Sequence, residues 1–279
     1  MKSILVASDL SPRADRALRR AFDLAAEHGA RLTVASIVDQ DLPDDLREGF
    51  AADIRARLER FAASIDARRG VAHEIQVEPG DPSADIPRLA AEAEADLIIL
   101  GRHRDRPFMD LIRETTMERI VRFSPVPVLL VREPSDHPYK KVLLAVDFSP
   151  ASAEAARLTE RLLPKAQISG FHAVHIAFQG LVGPNGHAAD ARFYLGAARR
   201  ELESWARSEA LPHIEEQTHV LEGGVHQVMH RRIRDLSPDL LAVGAHGRSG
   251  AAPFAVGSFA NDLMRDPPCD LLIARARPA

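Results

Sequence analysis

The sequence predicts an α/β protein built from two tandem doubly wound, Rossmann-like domains, each a parallel sheet with helices on both faces. Three observations predict it. The chain repeats itself: Ile4-Leu5-Val6-Ala7-Ser8-Asp9-Leu10-Ser11-Pro12 returns as Val142-Leu143-Leu144-Ala145-Val146-Asp147-Phe148-Ser149-Pro150, and Ala95 to Gly101 returns as Pro238 to Gly244. A period near half of 279 residues is far too long for a solenoid and marks a duplicated domain. Each half alternates strand-like and helix-like stretches. The strand-like runs are almost continuously apolar, as in a parallel sheet buried on both faces.

The elements follow in order. A first strand is predicted over residues 3–7, where the apolar run ends before Asp9. Residues 15–28 read as a helix and 31–38 as a second strand. Residues 45–68 carry Phe50, Ile54, Leu58, Phe61 and Ile65 on one stripe, which predicts a core-facing helix. Strands are predicted at 73–77, 96–100 and 126–131, and the last returns in the second half as Cys269 to Arg275. The connector Glu133 to Pro138 is polar and carries Pro134 and Pro138, as a linker does. Domains are therefore expected over 1–134 and 139–279. In doubly wound sheets ligands bind beyond the carboxyl ends of the strands, where the strand order switches. Asp9, Gly101, Asp147 and Gly244 all stand at such ends.

Composition narrows the function. Hydrophobic residues make up 46% and charged residues 27%, enough apolar material for two cores. The net charge of -4 argues against a dedicated nucleic-acid binder. Cys269 is the single cysteine, so neither a disulfide framework nor a thiolate metal cluster is expected. No apolar stretch reaches the roughly 20 residues of a membrane span, and the start reads as a strand rather than a signal peptide. The expected location is the cytoplasm.

The segment Gly244-Ala245-His246-Gly247, with Gly257-Ser258 nine residues on, is the chemistry-bearing motif. It runs from a predicted strand to a helix beginning at Ser258. Glycines let backbone N–H groups approach an anion, and a helix N-terminus adds positive potential. No Gly-Lys-Ser/Thr triplet closes the loop, so it is not a Walker A motif.

Both halves resemble the universal stress protein family, over nearly the whole chain. The marks are Ala145-Val146-Asp147-Phe148-Ser149-Pro150, Gly223, and Gly244-x-x-Gly247-x9-Gly257-Ser258, the spacing of that family's ATP-binding signature. The resemblance implies that Asp147 contacts the nucleoside end of ATP and that backbone near Val174 meets the adenine edge. It implies that Gly244, Gly247, Gly257 and Ser258 surround the ribose and phosphates, with Mg²⁺ bridging phosphate oxygens and Ser258 a phosphate or metal contact. Arg248 and Ser249 stand where the family often has similar residues and add donors. Asp147 also fits an N-cap or Asx turn ahead of a helix, and the glycines also fit plain turn punctuation.

The first half departs from the signature. Aligning Gly101 with Gly244 puts Arg104, Glu114 and Thr115 at the places of Gly247, Gly257 and Ser258. This half is expected to be degenerate and not to bind ATP. His226 and His230 share a helix face without a third ligand at a recognisable spacing, so no metal site is expected. His172 is expected to pack; His103 and His246 flank the loop without an orienting carboxylate. No nucleophile–base arrangement is visible, and no catalytic residue is assigned. The expected function is a stress-response module that binds ATP in its second half with little or no turnover. The alternatives are a slow ATP-dependent hydrolase or transferase, and an interaction protein that nucleotide merely stabilises. The apolar last strands predict an intramolecular pseudo-dimer, which leaves a homodimer open.

Overall fold

The computed structural model describes residues 1–67, 69–102, 115–134, 137–176, 184–247 and 256–276. Two compact units emerge: unit 1 is Met1–Pro138 with Asn261–Leu272, and unit 2 is Tyr139–Ala260 with Ile273–Ala279.

Unit 1 runs β1 (Ser3–Ala7), α1 (Pro12–His28), β2 (Arg31–Asp39), α2 (Asp44–Asp66), β3 (His73–Gly80), α3 (Pro82–Glu92), β4 (Leu97–Gly101), α4 (Thr116–Phe123) and β5 (Val128–Val131). Its strand order is β3-β2-β1-β4-β5, with every one of these pairings parallel. The chain lays β2 and β3 to one side of β1, then crosses to place β4 on the other. That reversal between β1 and β4 is the switch point of a doubly wound sheet. Ile4, Leu5, Val6, Ile98 and Ile99 are fully buried, as parallel strands covered on both faces require.

The second repeat runs β6 (Lys141–Ala145), α5 (Pro150–Leu162), β7 (Gln167–Val174), α6 (Pro184–Ser208), α7 (Pro212–Gln217), β8 (Thr218–Glu222), α8 (Val225–Leu236), β9 (Leu240–Gly244), α9 (Ser258–Arg265) and β10 (Asp270–Ala274). The order β8-β7-β6-β9-β10 copies that of the first repeat, with β8-β7-β6-β9 parallel throughout. The short α7 has no counterpart in the first repeat. No helix among the described residues is long and apolar enough to cross a membrane.

Both repeats start their first helix in the same way. Ser11 and Ser149 cap α1 and α5 with φ -81° and ψ 158°, and Pro12 and Pro150 follow. Serine at the N-cap accepts a bond from an otherwise orphaned helix N–H, and proline has no N–H to leave unpaired. Just before each cap, Leu10 and Phe148 hold φ of 57° and 64°, a left-handed turn uncommon outside glycine.

The apolar stripe expected on α2 is buried only in its second half. Leu58 and Ile65 are enclosed, whereas Phe50 is 59% exposed. The helix has 23 residues, about 34 Å of length, and β3 beneath it has 8, about 26 Å. Its amino-terminal turns leave Leu46 and Phe50 exposed.

Unit 1 contains a buried ion pair that the sequence does not announce. Asp270 and Arg20 are almost fully enclosed, with Arg20 Nε 3.9 Å from Asp270 Oδ2. Asp270 Oδ1 also accepts from the backbone N–H of Arg132 (2.8 Å) and of Glu133 (3.0 Å).

Candidate functional site

The expected site residues of the second repeat come from the ends of β6, β7 and β9 and from the start of α9. Strands β6 and β9 are direct neighbours, with Leu144 opposite Ala242, so residues following both emerge at the switch point. The ladder runs one step past β6, where Val146 N donates to Phe171 O at 2.9 Å. Asp147 then projects, Phe148 turns the chain, and Ser149 caps α5. Asp147 Oδ1 accepts the Ser149 N–H at 3.0 Å, the short-range bond of an Asx turn.

Ser149 makes a second, longer-range connection. Its hydroxyl accepts from Ser152 N at 3.1 Å and donates to the His246 carbonyl at 3.1 Å, inside the glycine loop. Two further backbone bonds hold that loop: Ala245 N to Ala274 O at 2.7 Å, and Gly257 N to Ala245 O at 2.8 Å.

The three glycines differ. A Cβ on Gly244 would lie 2.8 Å from Ser152 N and 2.9 Å from the Ala151 carbonyl carbon, inside the first turn of α5. Close packing of strand end against helix explains this glycine completely. A Cβ on Gly257 would meet nothing nearer than 3.6 Å. Among the described residues, a Cβ on Gly247 would meet Asp147 Oδ2 at 3.2 Å and nothing else within 4 Å. Neither Gly247 nor Gly257 has a left-handed φ, so backbone strain does not demand glycine at either.

Asp147, Gly247 and Gly257 are thus brought together, Gly257 lying within 3.8 Å of Gly247 N when measured from its Cβ position. Ser258 opens α9 and is exposed. Val174 ends β7, one strand beyond β6, and its carbonyl accepts from Gly223 N at 3.0 Å. Gly223 holds φ 135°, which a residue with a side chain rarely adopts. Arg248 and Ser249 lie outside the described residues.

The histidines behave as structural residues. His172 stacks on Phe148 with ring centroids 4.1 Å apart, its Nδ1 2.7 Å from the Val146 carbonyl. His226 and His230 are both exposed, and His226 meets the edge of Phe259. Among the described residues no three His, Cys, Asp or Glu side chains converge as a metal site. His246 differs: its Nε2 is buried without a hydrogen-bond partner, and burial, then the Arg275 cation, pushes its pKa down. Sequence reasoning missed the Ser149–His246 bridge, because the two residues are 97 apart and a serine before proline signals only a cap.

In the first repeat Gly101 repeats the packing role of Gly244, its Cβ position lying 2.7 Å from Arg13 C and O. Ser11 N likewise donates to Asp9 Oδ1 at 3.0 Å. Thr115 caps α4 reciprocally with Glu118, which accepts Thr115 N at 2.7 Å. His103, Arg104 and Glu114 lie outside the described residues.

Comparison with known proteins gives a consistent answer. The model of the universal stress protein family matches twice, over residues 1–132 and 138–275. A universal stress protein relative from Staphylococcus saprophyticus is 34% identical over 140 residues, covering 47% of this chain and 83% of the relative. The crystal structure of a universal stress protein from Archaeoglobus fulgidus superposes with a TM-score of 0.69 at 16% identity, covering 99% of this chain and 98% of that one. A functionally unknown protein from Pseudomonas aeruginosa gives 0.65 at 20% identity, covering 99% and 93%. With the same domain matched in both halves, the chain belongs to the universal stress protein family, in tandem form.

Proposed function

We propose that the second repeat binds an adenine nucleotide, ATP by preference, and that the protein is a cytoplasmic stress-response sensor or signalling module with little or no turnover. One observation carries the reading: among the described residues, neither packing nor backbone conformation requires glycine at Gly247 or Gly257. Glycine is entropically unfavourable where it is not needed. A pair of them beside the Asp147 carboxylate and the N-terminus of α9 fits backbone kept bare for a ligand's close approach.

The residues present fit ATP. Phosphates suit the start of α9, where the dipole and first-turn N–H groups favour anions and where Ser258 offers a hydroxyl. The helix has no acidic residue in its first turn to repel them. Asp147 supplies an acceptor for ribose hydroxyls. The Val174 carbonyl has a second lone pair beyond the one used by Gly223, and suits the adenine amino group. Mg²⁺ would be held chiefly by phosphate oxygens, with Ser258 as the protein's hydroxyl ligand. Asp147 at the nucleoside end leaves no assigned base beside the phosphates, so turnover is expected below the usual range of roughly 1 to 10³ per second.

Titration calorimetry tests this. The full chain should take up one MgATP, and Gly247→Val should weaken it at least about tenfold, or about 1.4 kcal/mol. Unchanged affinity in Gly247→Val removes the site assignment. A stoichiometry of two removes the degenerate reading of the first repeat.

A further inference from the structure

We infer that Ser149 is the positioning residue of the site proposed above, on which this inference rests: its hydroxyl sets the distance between the Asp147 wall and the glycine-loop wall. Ser149 is 1% exposed, so it is an internal brace rather than a ligand contact. Its backbone N–H orients Asp147 by holding Oδ1, which leaves Oδ2 facing Gly247. Its hydroxyl accepts one bond from α5 and donates another to the His246 carbonyl, the residue immediately before Gly247. Neither function needs the other, since capping uses a lone pair and bridging uses the proton. A cap alone explains the first bond and leaves the second unexplained.

The bridge links two segments that are far apart in the chain. One is the turn after β6, held in a left-handed conformation at Phe148; the other is the loop after β9. A buried hydroxyl–carbonyl bond between such segments removes their relative motion, and a ligand clamped by both needs that motion removed beforehand. The bridge therefore acts on affinity more than on stability.

The two contributions separate by substitution. Glycine is nearly as good an N-cap as serine but has no hydroxyl to bridge. Ser149→Thr keeps both bonds. Full-length wild type, Ser149→Gly, Ser149→Ala and Ser149→Thr are compared by MgATP calorimetry, by thermal melting, and by amide exchange at Gly257 read by NMR without nucleotide. Ser149→Gly should melt only slightly below wild type, bind MgATP about tenfold more weakly and exchange its Gly257 amide about tenfold faster, the loss of one hydrogen bond. Ser149→Ala should add a lower melting point, and Ser149→Thr should restore affinity and protection. If Ser149→Gly and Ser149→Ala keep wild-type affinity and protection, Ser149 is only a cap. If wild type binds no adenine nucleotide, the proposed function fails. The Gly257 exchange rate then decides the brace alone: faster exchange in Ser149→Gly supports it and unchanged exchange overturns it.

Discussion

Gly101 and Gly244 end equivalent strands and do the same work: each lets the first turn of its repeat's first helix, α1 or α5, pack on bare backbone. Among the described residues Gly247 and Gly257 have no such partner, and in the sequence alignment of the repeats their places are taken by Arg104 and Glu114. The glycine needed by the fold survives in both repeats, while the pair assigned to a ligand occurs in one. A single signature therefore mixes two kinds of glycine, and only the Cβ surroundings separate them.

The same contrast between repeats reaches the core, and there the largest effect is expected. Arg20 on α1 aligns with Leu158 on α5, and both are buried. Unit 1 thus keeps an ion pair, Arg20 with Asp270, where the second repeat has an apolar helix position. Asp270→Ala should destabilise the chain by about 3–5 kcal/mol, because it removes the countercharge of a buried guanidinium, whose Nη1 donates to the His137 carbonyl. It also orphans the N–H groups of Arg132 and Glu133. Combining Arg20→Leu with Asp270→Leu removes both charges yet still leaves those two N–H groups unpaired, so denaturant unfolding should show only partial recovery. Full recovery would mean that the backbone bonds to Asp270 contribute nothing.

Four single substitutions separate the two kinds of glycine. Gly101→Ala and Gly244→Ala each force a methyl to within 3 Å of helix backbone, an overpacking cost of about 1–3 kcal/mol read as a lower melting temperature. Gly257→Ala has ordinary van der Waals room, and Gly247→Ala needs only a small shift of the Asp147 carboxylate. Both should melt within about 0.5 kcal/mol of wild type, as substitutions that touch no packed feature do. Equal destabilisation at all four positions would erase the distinction between fold glycines and ligand glycines.

Much of this was legible in the sequence, and the limits have physical causes. The repeat, the alternation of strands with helices and the position of Asp147 at a strand end follow from apolar runs and their punctuation; the order of the strands in the sheet does not. Strand β3 was read as ending at Val77 but continues to Gly80, because Val38 and Asp39 of β2 pair with Pro79 and Gly80. As an outer strand of unit 1 it tolerates that proline, whose missing N–H no neighbour needs. The stripe on α2 shows helical period without showing where the sheet beneath it stops. The different surroundings of Gly244 and Gly247, and the bridge from Ser149 to His246, depend on contacts between segments nearly 100 residues apart. Local pattern carries no trace of them.

The smallest expected effect concerns His246, which stands in the loop of the repeat that keeps Gly247. Burial and the neighbouring Arg275 cation lower its pKa in the folded chain from the ordinary 6.5, and its Nε2 has no partner to stabilise a proton. The unfolded chain still titrates near 6.5. Between the two values the unfolded state binds a proton that the folded state refuses, so stability falls as the pH drops through that window. The contribution is fully present above about pH 6.5 and is lost progressively on acidification toward the lowered folded pKa. His246→Gln removes the titrating ring but keeps the backbone carbonyl that Ser149 holds. Urea unfolding from about pH 7.5 down to about pH 5 should therefore show a shallower loss of stability in the variant than in wild type, with parallel curves above neutrality. Superimposable profiles would show that the imidazole finds water or a neighbour when charged. A steeper loss in His246→Gln would reverse the sign and place a stabilising protonated histidine in the glycine loop.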